Sequence, residues 1–196
     1  MNSDKINGLI LAGGRSSRMG FNKAALQFHG KPQPEYLAEI MMPHCNEVFI
    51  SCREVISEST LPILTDYFKF EGPLNGILTA FRHQSCAWLT VPVDMPNIDA
   101  DLIKFLIAKR NREKMATCFS DSSGSKPEPL FTLWEPGTSE KLFGYYAEGG
   151  RSPREFLMRS PVQYLTAPKP DYLLNINTPE DLAEFKKTLQ QHKSHR

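Results

Sequence analysis

Short apolar runs recur along the chain at positions 8–12, 47–52, 61–64, 87–93, 115–119, 130–134 and 172–175, each of a length that suits a buried strand. Between most of them, at 34–42, 74–83, 99–112, 139–148 and 179–190, apolar residues return every three or four positions, the spacing of a helix that buries one face. Strands alternating with amphipathic helices predict an α/β fold with a largely parallel sheet covered on both faces, a three-layer α/β/α domain. In such sheets ligands bind outside the carboxyl ends of the strands, so the residues that close each run carry the functional information. Ser51, Asp66 and Asp94 are therefore expected on one rim, beside the loop that follows Ala12.

Several element boundaries are written locally. Asp99 precedes the periodic Leu102, Ile103, Leu106 and Ile107 and suits a helix cap; Thr178 followed by Pro179, Glu180 and Asp181 supplies a cap, a proline at the first helical position and acidic residues in the first turn. Pro34 is expected to delay the helix that follows Gly30-Lys31-Pro32. Glu128, Pro129, Leu130 and Phe131 suit an edge strand, where a proline costs no ladder bond. Residues 121–126 form a polar stretch between two strand candidates, and 190–196 a polar tail.

Composition narrows the function classes. With 196 residues and 40% hydrophobic content, the chain fits one domain, 1–196, with one core. A formal net charge of +1 provides no global basic field, which argues against nucleic acid as a partner. Cys45, Cys52, Cys86 and Cys118 are scattered, with no Cys-x-x-Cys pair, so buried reduced thiols are expected and neither a zinc site nor a disulfide framework. Residues 1–7 are polar and no apolar run approaches membrane-spanning length, so a cytoplasmic protein with no membrane partner is expected, a monomer or weak homo-oligomer.

The densest chemistry follows the first strand, where Leu11 and Ala12 give way to Gly13, Gly14, Arg15, Ser16, Ser17, Arg18, Met19 and Gly20, with Lys23 beyond. Glycine lets backbone N–H groups approach a ligand, and Arg and Lys neutralise a triphosphate. It is not a Walker A loop, since Phe21 rather than Lys follows Gly20, nor a dinucleotide fingerprint, since Gly13 and Gly14 are adjacent. Asp94 closes the run 88–93 ahead of Met95 and Pro96. A single carboxylate there suits Mg2+, which takes one or two carboxylates and fills its shell with phosphates and water; an Asp before x-Pro is also a common turn former. Glu71-Gly72-Pro73-Leu74-Asn75-Gly76 follows Asp66, and its small residues either leave room for a base or ribose or simply start a helix. Asn175 and Asn177 alternate onto one side of an extended segment, although Asn177 and Thr178 also suit a cap. Arg151, Ser152 and Arg154 after Gly149-Gly150 form a second basic cluster or a solvated turn.

Leu-Ala-Gly-Gly, Arg-Ser-Ser-Arg-Met-Gly and Lys23, then Gly72-Pro73-Leu74-Asn75-Gly76, Asp94-Met-Pro and Asn175-Ile-Asn-Thr-Pro-Glu-Asp, resemble in this order the motifs of nucleotidyltransferases with a glycosyltransferase-A-like sheet, and most closely the molybdenum cofactor guanylyltransferases. The resemblance spans residues 9–185. It implies a Rossmann-like, nucleotide-diphospho-sugar-transferase-like domain, with a nucleotide-binding half at about 1–100 and an acceptor half at about 101–190. It implies transfer of GMP from GTP to the terminal phosphate of molybdenum-molybdopterin, with Mg2+ on Asp94. Arg15, Lys23 and Asp94 would be catalytic; Leu11, Ala12, Gly13, Gly14, Lys23, Ser51, Asp66, Gly76 and Asp94 would hold the nucleotide; Arg151, Asn175 and Asn177 would meet the acceptor. Transient contact with pterin-delivering proteins is expected. Two departures bear on base choice: Asn22 stands where the family commonly has Asp before the lysine, and Ser51 where it often has Asn. Alternatives are a cytidylyltransferase or sugar-phosphate nucleotidyltransferase of the same fold, or a noncatalytic nucleotide-binding regulator.

Overall fold

The structure, a computed structural model, describes residues 5–12, 27–53, 59–121 and 124–193. Its elements are β1 (Ile6–Leu11), α1 (Gln33–Met41), β2 (Val48–Cys52), β3 (Ile63–Thr65), α2 (Pro73–His83), β4 (Ala87–Pro92), α3 (Ala100–Ala108), β5 (Ala116–Ser120), β6 (Pro127–Trp134), α4 (Thr138–Ala147), α5 (Pro153–Met158), β7 (Val162–Leu165), a 3-10 helix (Pro170–Leu173) and α6 (Pro179–Lys193). One seven-stranded sheet runs in the order β3-β2-β1-β4-β6-β5-β7. The pairs β1–β2, β2–β3, β1–β4 and β5–β7 are parallel, whereas β6 runs against both β4 and β5. The largely parallel α/β architecture is as expected, with a Rossmann-like half in β3-β2-β1-β4.

The period of two along each strand sorts the core into layers. Ile6 and Ile10 of β1, with Leu89 and Val91 of β4, pack beneath α1 and α3 against Leu37, Met41, Leu102 and Leu106. Leu9 and Leu11, with Trp88 and Trp134, face the other way onto Leu74, Ile77 and Leu78 of α2, Leu142 of α4 and Phe156 of α5. Fully burying each such side chain contributes about 1.5–3 kcal/mol. Trp134 donates its indole N–H to the Thr90 hydroxyl (3.1 Å), which donates to the Thr132 carbonyl (3.1 Å), so the polar atoms between β4 and β6 are satisfied. Among the described residues no helix is long and apolar enough to cross a membrane. The described cysteines are free, with Cys52, Cys86 and Cys118 buried and Cys45 partly so.

Three expectations are corrected. Residues 172–175 are not a strand: the 3-10 helix Pro170–Leu173 occupies that place, fixed by the Tyr172 hydroxyl donating to Asp99 (3.0 Å). The strand with Pro127 and Pro129 lies inside the sheet, and its prolines are accommodated because pairing with β4 ends at Thr90–Thr132 and that with β5 shifts register between Cys118 and Ser120. Pro34 does not delay α1, which starts at Gln33; a first-turn N–H has no partner within the helix, so a proline there loses nothing. Gly149-Gly150 ends α4 in a Schellman motif, with Gly149 at φ 93° and Gly150 N–H donating to the Tyr145 carbonyl (2.9 Å). α5 then starts at once, Ser152 accepting from Glu155 N–H (3.2 Å).

Candidate nucleotide site

The strand order reverses between β1 and β4, the place where doubly wound sheets open a crevice. Backbone bonds align the strand ends there: Ala12 N–H donates to the Ser51 carbonyl (3.1 Å) and Asp66 N–H to the Cys52 carbonyl (3.0 Å). Leu11, Ser51, Arg53, Asp66, Gly72, Pro73 and Gly76 line one narrow cleft. Of the residues expected at the nucleotide, the fold thus brings Leu11, Ser51, Asp66 and Gly76 together, with Ala12 bonded to the same rim. Gly13, Gly14, Arg15 and Lys23 lie outside the described residues.

Close approach explains Gly76. It sits in α2 over the end of β2, where a Cβ would run into the Ser51 hydroxyl and reach Leu11 Cδ2 and Ser51 Cβ at 3.2 Å. Ser51 donates to Asp66 Oδ1 at 3.3 Å. Burial pushes the Asp66 carboxyl above its ordinary range, opposed by the Ser51 hydroxyl and the Arg53 guanidinium. Gly72, with φ 124°, caps the start of α2 in a conformation that favours glycine.

Sequence reasoning passed over three residues of this wall. The buried Asn75 side chain donates to the carbonyls of Phe68 (2.6 Å) and Phe70 (2.9 Å) and accepts from Phe68 N–H (3.1 Å), stapling the loop after Asp66 to α2. Thr79 accepts from Tyr67 N–H (3.0 Å) one turn later. Arg53 reaches across the mouth to Glu71 at 3.1 Å. An Asn and a Thr at i and i+4 on an otherwise apolar helix face were the available signal for the first two.

Asp94 follows β4, half-buried. Its backbone carbonyl accepts from Ile176 N–H at 2.8 Å, so the segment 174–177, far away in sequence, lies against the end of β4. Ile176 is buried while Asn175 and Asn177 flank it less buried, so the alternation expected of a strand persists without one. Asn175 donates to the Leu173 carbonyl (3.3 Å), and Asp181 Oδ2 accepts from the N–H groups of Asn177 (2.8 Å) and Thr178 (2.9 Å) while Thr178 caps Asp181 N–H (3.1 Å). The Arg151 guanidinium donates to the Tyr146 (2.9 Å) and Gly150 (2.7 Å) carbonyls and stacks over Phe70 and Tyr146.

Comparison with known proteins agrees with this geometry. The MobA-like NTP transferase domain model matches residues 8–163. A molybdenum cofactor guanylyltransferase of Vibrio vulnificus is 31% identical over 183 residues, covering 90% of this chain and 93% of the relative. A molybdenum cofactor biosynthesis bifunctional protein of Synechocystis is 32% identical over 186 residues, and this chain spans only 53% of its length. The crystal structure of molybdopterin-guanine dinucleotide biosynthesis protein A from Archaeoglobus fulgidus superposes with a TM-score of 0.76 at 23% identity, covering 94% of this chain and 99% of that one, and shares the fold. With a crevice at the sheet's switch point and a family model spanning most of its length, the chain belongs to the MobA-like NTP transferases.

Proposed function

We propose that this chain transfers GMP from GTP to the terminal phosphate of molybdenum-bearing molybdopterin, forming the guanine dinucleotide and releasing pyrophosphate. The observation that carries it is that the Ser51–Asp66–Gly76 cleft and the Asp94–Ile176 bond both lie at the carboxyl ends of the parallel strands, in a chain whose relatives of matching length are molybdenum cofactor guanylyltransferases. In the step, an acceptor phosphate oxygen forms a bond to the α-phosphorus while the bond to the β-phosphate oxygen breaks, its electron pair leaving with pyrophosphate. The attacking oxygen is already anionic, so no general base is required and rate comes from alignment and charge neutralisation.

The residues divide the work. Leu11, Ala12, Gly13 and Gly14 bring backbone to the nucleotide, Ser51 and Asp66 offer acceptor oxygens to base and ribose, and Gly76 keeps their cleft open. Arg15 and Lys23 supply positive charge for the phosphates. Asp94 would hold Mg2+, which takes one or two carboxylates and leaves its other positions to phosphate and water. Bound there, Mg2+ would neutralise phosphate charge as a Lewis acid. Asn175 and Asn177, held at Asp94 by Ile176, face the acceptor side.

The test is a thermal-shift series with GTP, CTP, ATP and UTP in Mg2+, followed by pyrophosphate release with molybdopterin. Selective stabilisation by GTP and pterin-dependent release are expected. Stabilisation by CTP alone, or nucleotide binding without release, refutes the assignment.

A further inference from the structure

Glu128 is a buried carboxylate that the transfer described above leaves without a role. β6 runs antiparallel to β4, pairing Thr132 with Thr90. That ladder ends four residues before Asp94 on one strand and four residues after Glu128 on the other, so both carboxylates lie beyond the same end of it. Electrostatics agrees, because Asp94 is among the charges that raise the Glu128 carboxyl above its ordinary range, after burial as the first cause. Glu128 Oε1 accepts from Leu130 N–H (3.1 Å), and Oε2 faces the Arg154 guanidinium at 3.7 Å. Arg154, in the first turn of α5, also donates from Nε to the Pro127 carbonyl (3.2 Å).

One accepted hydrogen bond, at the Pro127 carbonyl, and one ion-pair partner at 3.7 Å, the Glu128 carboxylate, orient a planar guanidinium while leaving further N–H groups of its five for a ligand. The pair is also graded in depth: the Arg154 side chain is 43% exposed and that of Glu128 8%, so a ligand entering from solvent meets the cation before the carboxylate. Resting on the nucleotidyl-transfer reading, we propose that Arg154, aimed by Glu128 and the Pro127 carbonyl, docks the acceptor's terminal phosphate beside Asp94. Arg151, the cation expected there, caps α4 and packs on Phe70 and Tyr146. Glu128 is a positioning residue: it touches no substrate and acts by fixing the fork.

The experiment measures KM for molybdopterin and for GTP, with kcat and melting temperature, in wild type, Arg154→Ala, Arg154→Lys, Glu128→Gln and the double variant Arg154→Ala/Glu128→Gln. Losing a charged donor pair to phosphate is expected to raise the pterin KM about tenfold or more in Arg154→Ala, with the GTP KM within about twofold of wild type. Arg154→Lys recovers part of this, since a point charge cannot use the fork. Glu128→Gln raises the pterin KM by a smaller factor, and the double variant is no worse than Arg154→Ala because both act through one group. A merely structural pair would instead lower the melting temperature and move both KM values together, which overturns the proposal, as does an unchanged pterin KM in Arg154→Ala or Arg154→Lys. Wild-type protein that releases no pyrophosphate overturns the underlying function as well.

Discussion

Gly76→Ala isolates the closest backbone approach in the cleft. The added methyl meets the Ser51 hydroxyl, with Leu11 Cδ2 and Ser51 Cβ next at 3.2 Å, so Ser51 must rotate or α2 must lift. Overpacking of this kind costs about 1–3 kcal/mol. Replacing a helical glycine by alanine returns about 1 kcal/mol, leaving a net loss of roughly 0–2 kcal/mol. Gly144, in α4, has open space for 4 Å around the place a methyl would take, so Gly144→Ala gains the propensity alone, about 1 kcal/mol. The steric term is the difference between the two, measured by urea denaturation of both variants. Rotating Ser51 also breaks its 3.3 Å bond to Asp66; if the two side chains contact the nucleotide as proposed, losing one such contact of about 1 kcal/mol weakens GTP binding roughly fivefold by calorimetry. Removing the obstacle in Gly76→Ala/Ser51→Ala should recover most of the stability lost in Gly76→Ala. If Gly76→Ala proves as stabilising as Gly144→Ala, or the double variant recovers nothing, the contact does not shape the cleft.

Further outcomes follow from other contacts. Asp94→Ala should abolish Mg2+-dependent pyrophosphate release with little change in melting temperature, since the bond to Ile176 uses the Asp94 backbone carbonyl; retained turnover removes Asp94 from the metal site. Burial raises the Asp66 and Glu128 carboxyls, so just above the ordinary carboxylate range the folded protein holds protons that the unfolded chain has released. Their contribution to stability is therefore largest at low pH and declines as pH rises through the raised folded values; Asp66→Asn and Glu128→Gln should each flatten that decline in pH-dependent denaturation, and an unaltered profile contradicts the burial. Arg110 grips Glu135 through Nε (2.6 Å) and Nη2 (2.7 Å) with both side chains buried, so removing either partner should cost about 3–5 kcal/mol in chemical denaturation, and a loss below about 1 kcal/mol would show the pair to be hydrated.

What the sequence revealed and what it concealed divide by range. Elements with a strong local pattern were legible: the run through Leu9 and Leu11, the alternating face of α2 and the Asp99 cap, whose carboxylate accepts from Leu102 N–H at 2.8 Å. The strand ends that build the cleft followed from topology, because a parallel sheet puts Ser51, Asp66 and Asp94 on one rim. β7 escaped notice because Val162, Gln163, Tyr164 and Leu165 form a short, half-exposed strand that pairs only with β5, without the apolar density of the others. α5 is only six residues long, too short for a clear apolar period, although Ser152 and Glu155 are spaced as a capping pair. Tyr172, Leu173 and Leu174 imitate a strand, yet the Tyr172–Asp99 bond holds the first two in a 3-10 helix. Contacts such as Arg154 with Glu128, or Asn75 with the loop after Asp66, join residues by packing rather than by pattern and emerge only in three dimensions.

The hydrogen bond from Ile176 to Asp94 makes the order of synthesis matter. During translation, the first four sheet-forming segments leave the ribosome long before the donor that steadies the Asp94 turn, so that turn gains its clamp only once residue 176 has emerged. A nonsense change anywhere ahead of codon 176 removes that clamp outright, even where every residue of the Ser51–Asp66–Gly76 cleft is retained.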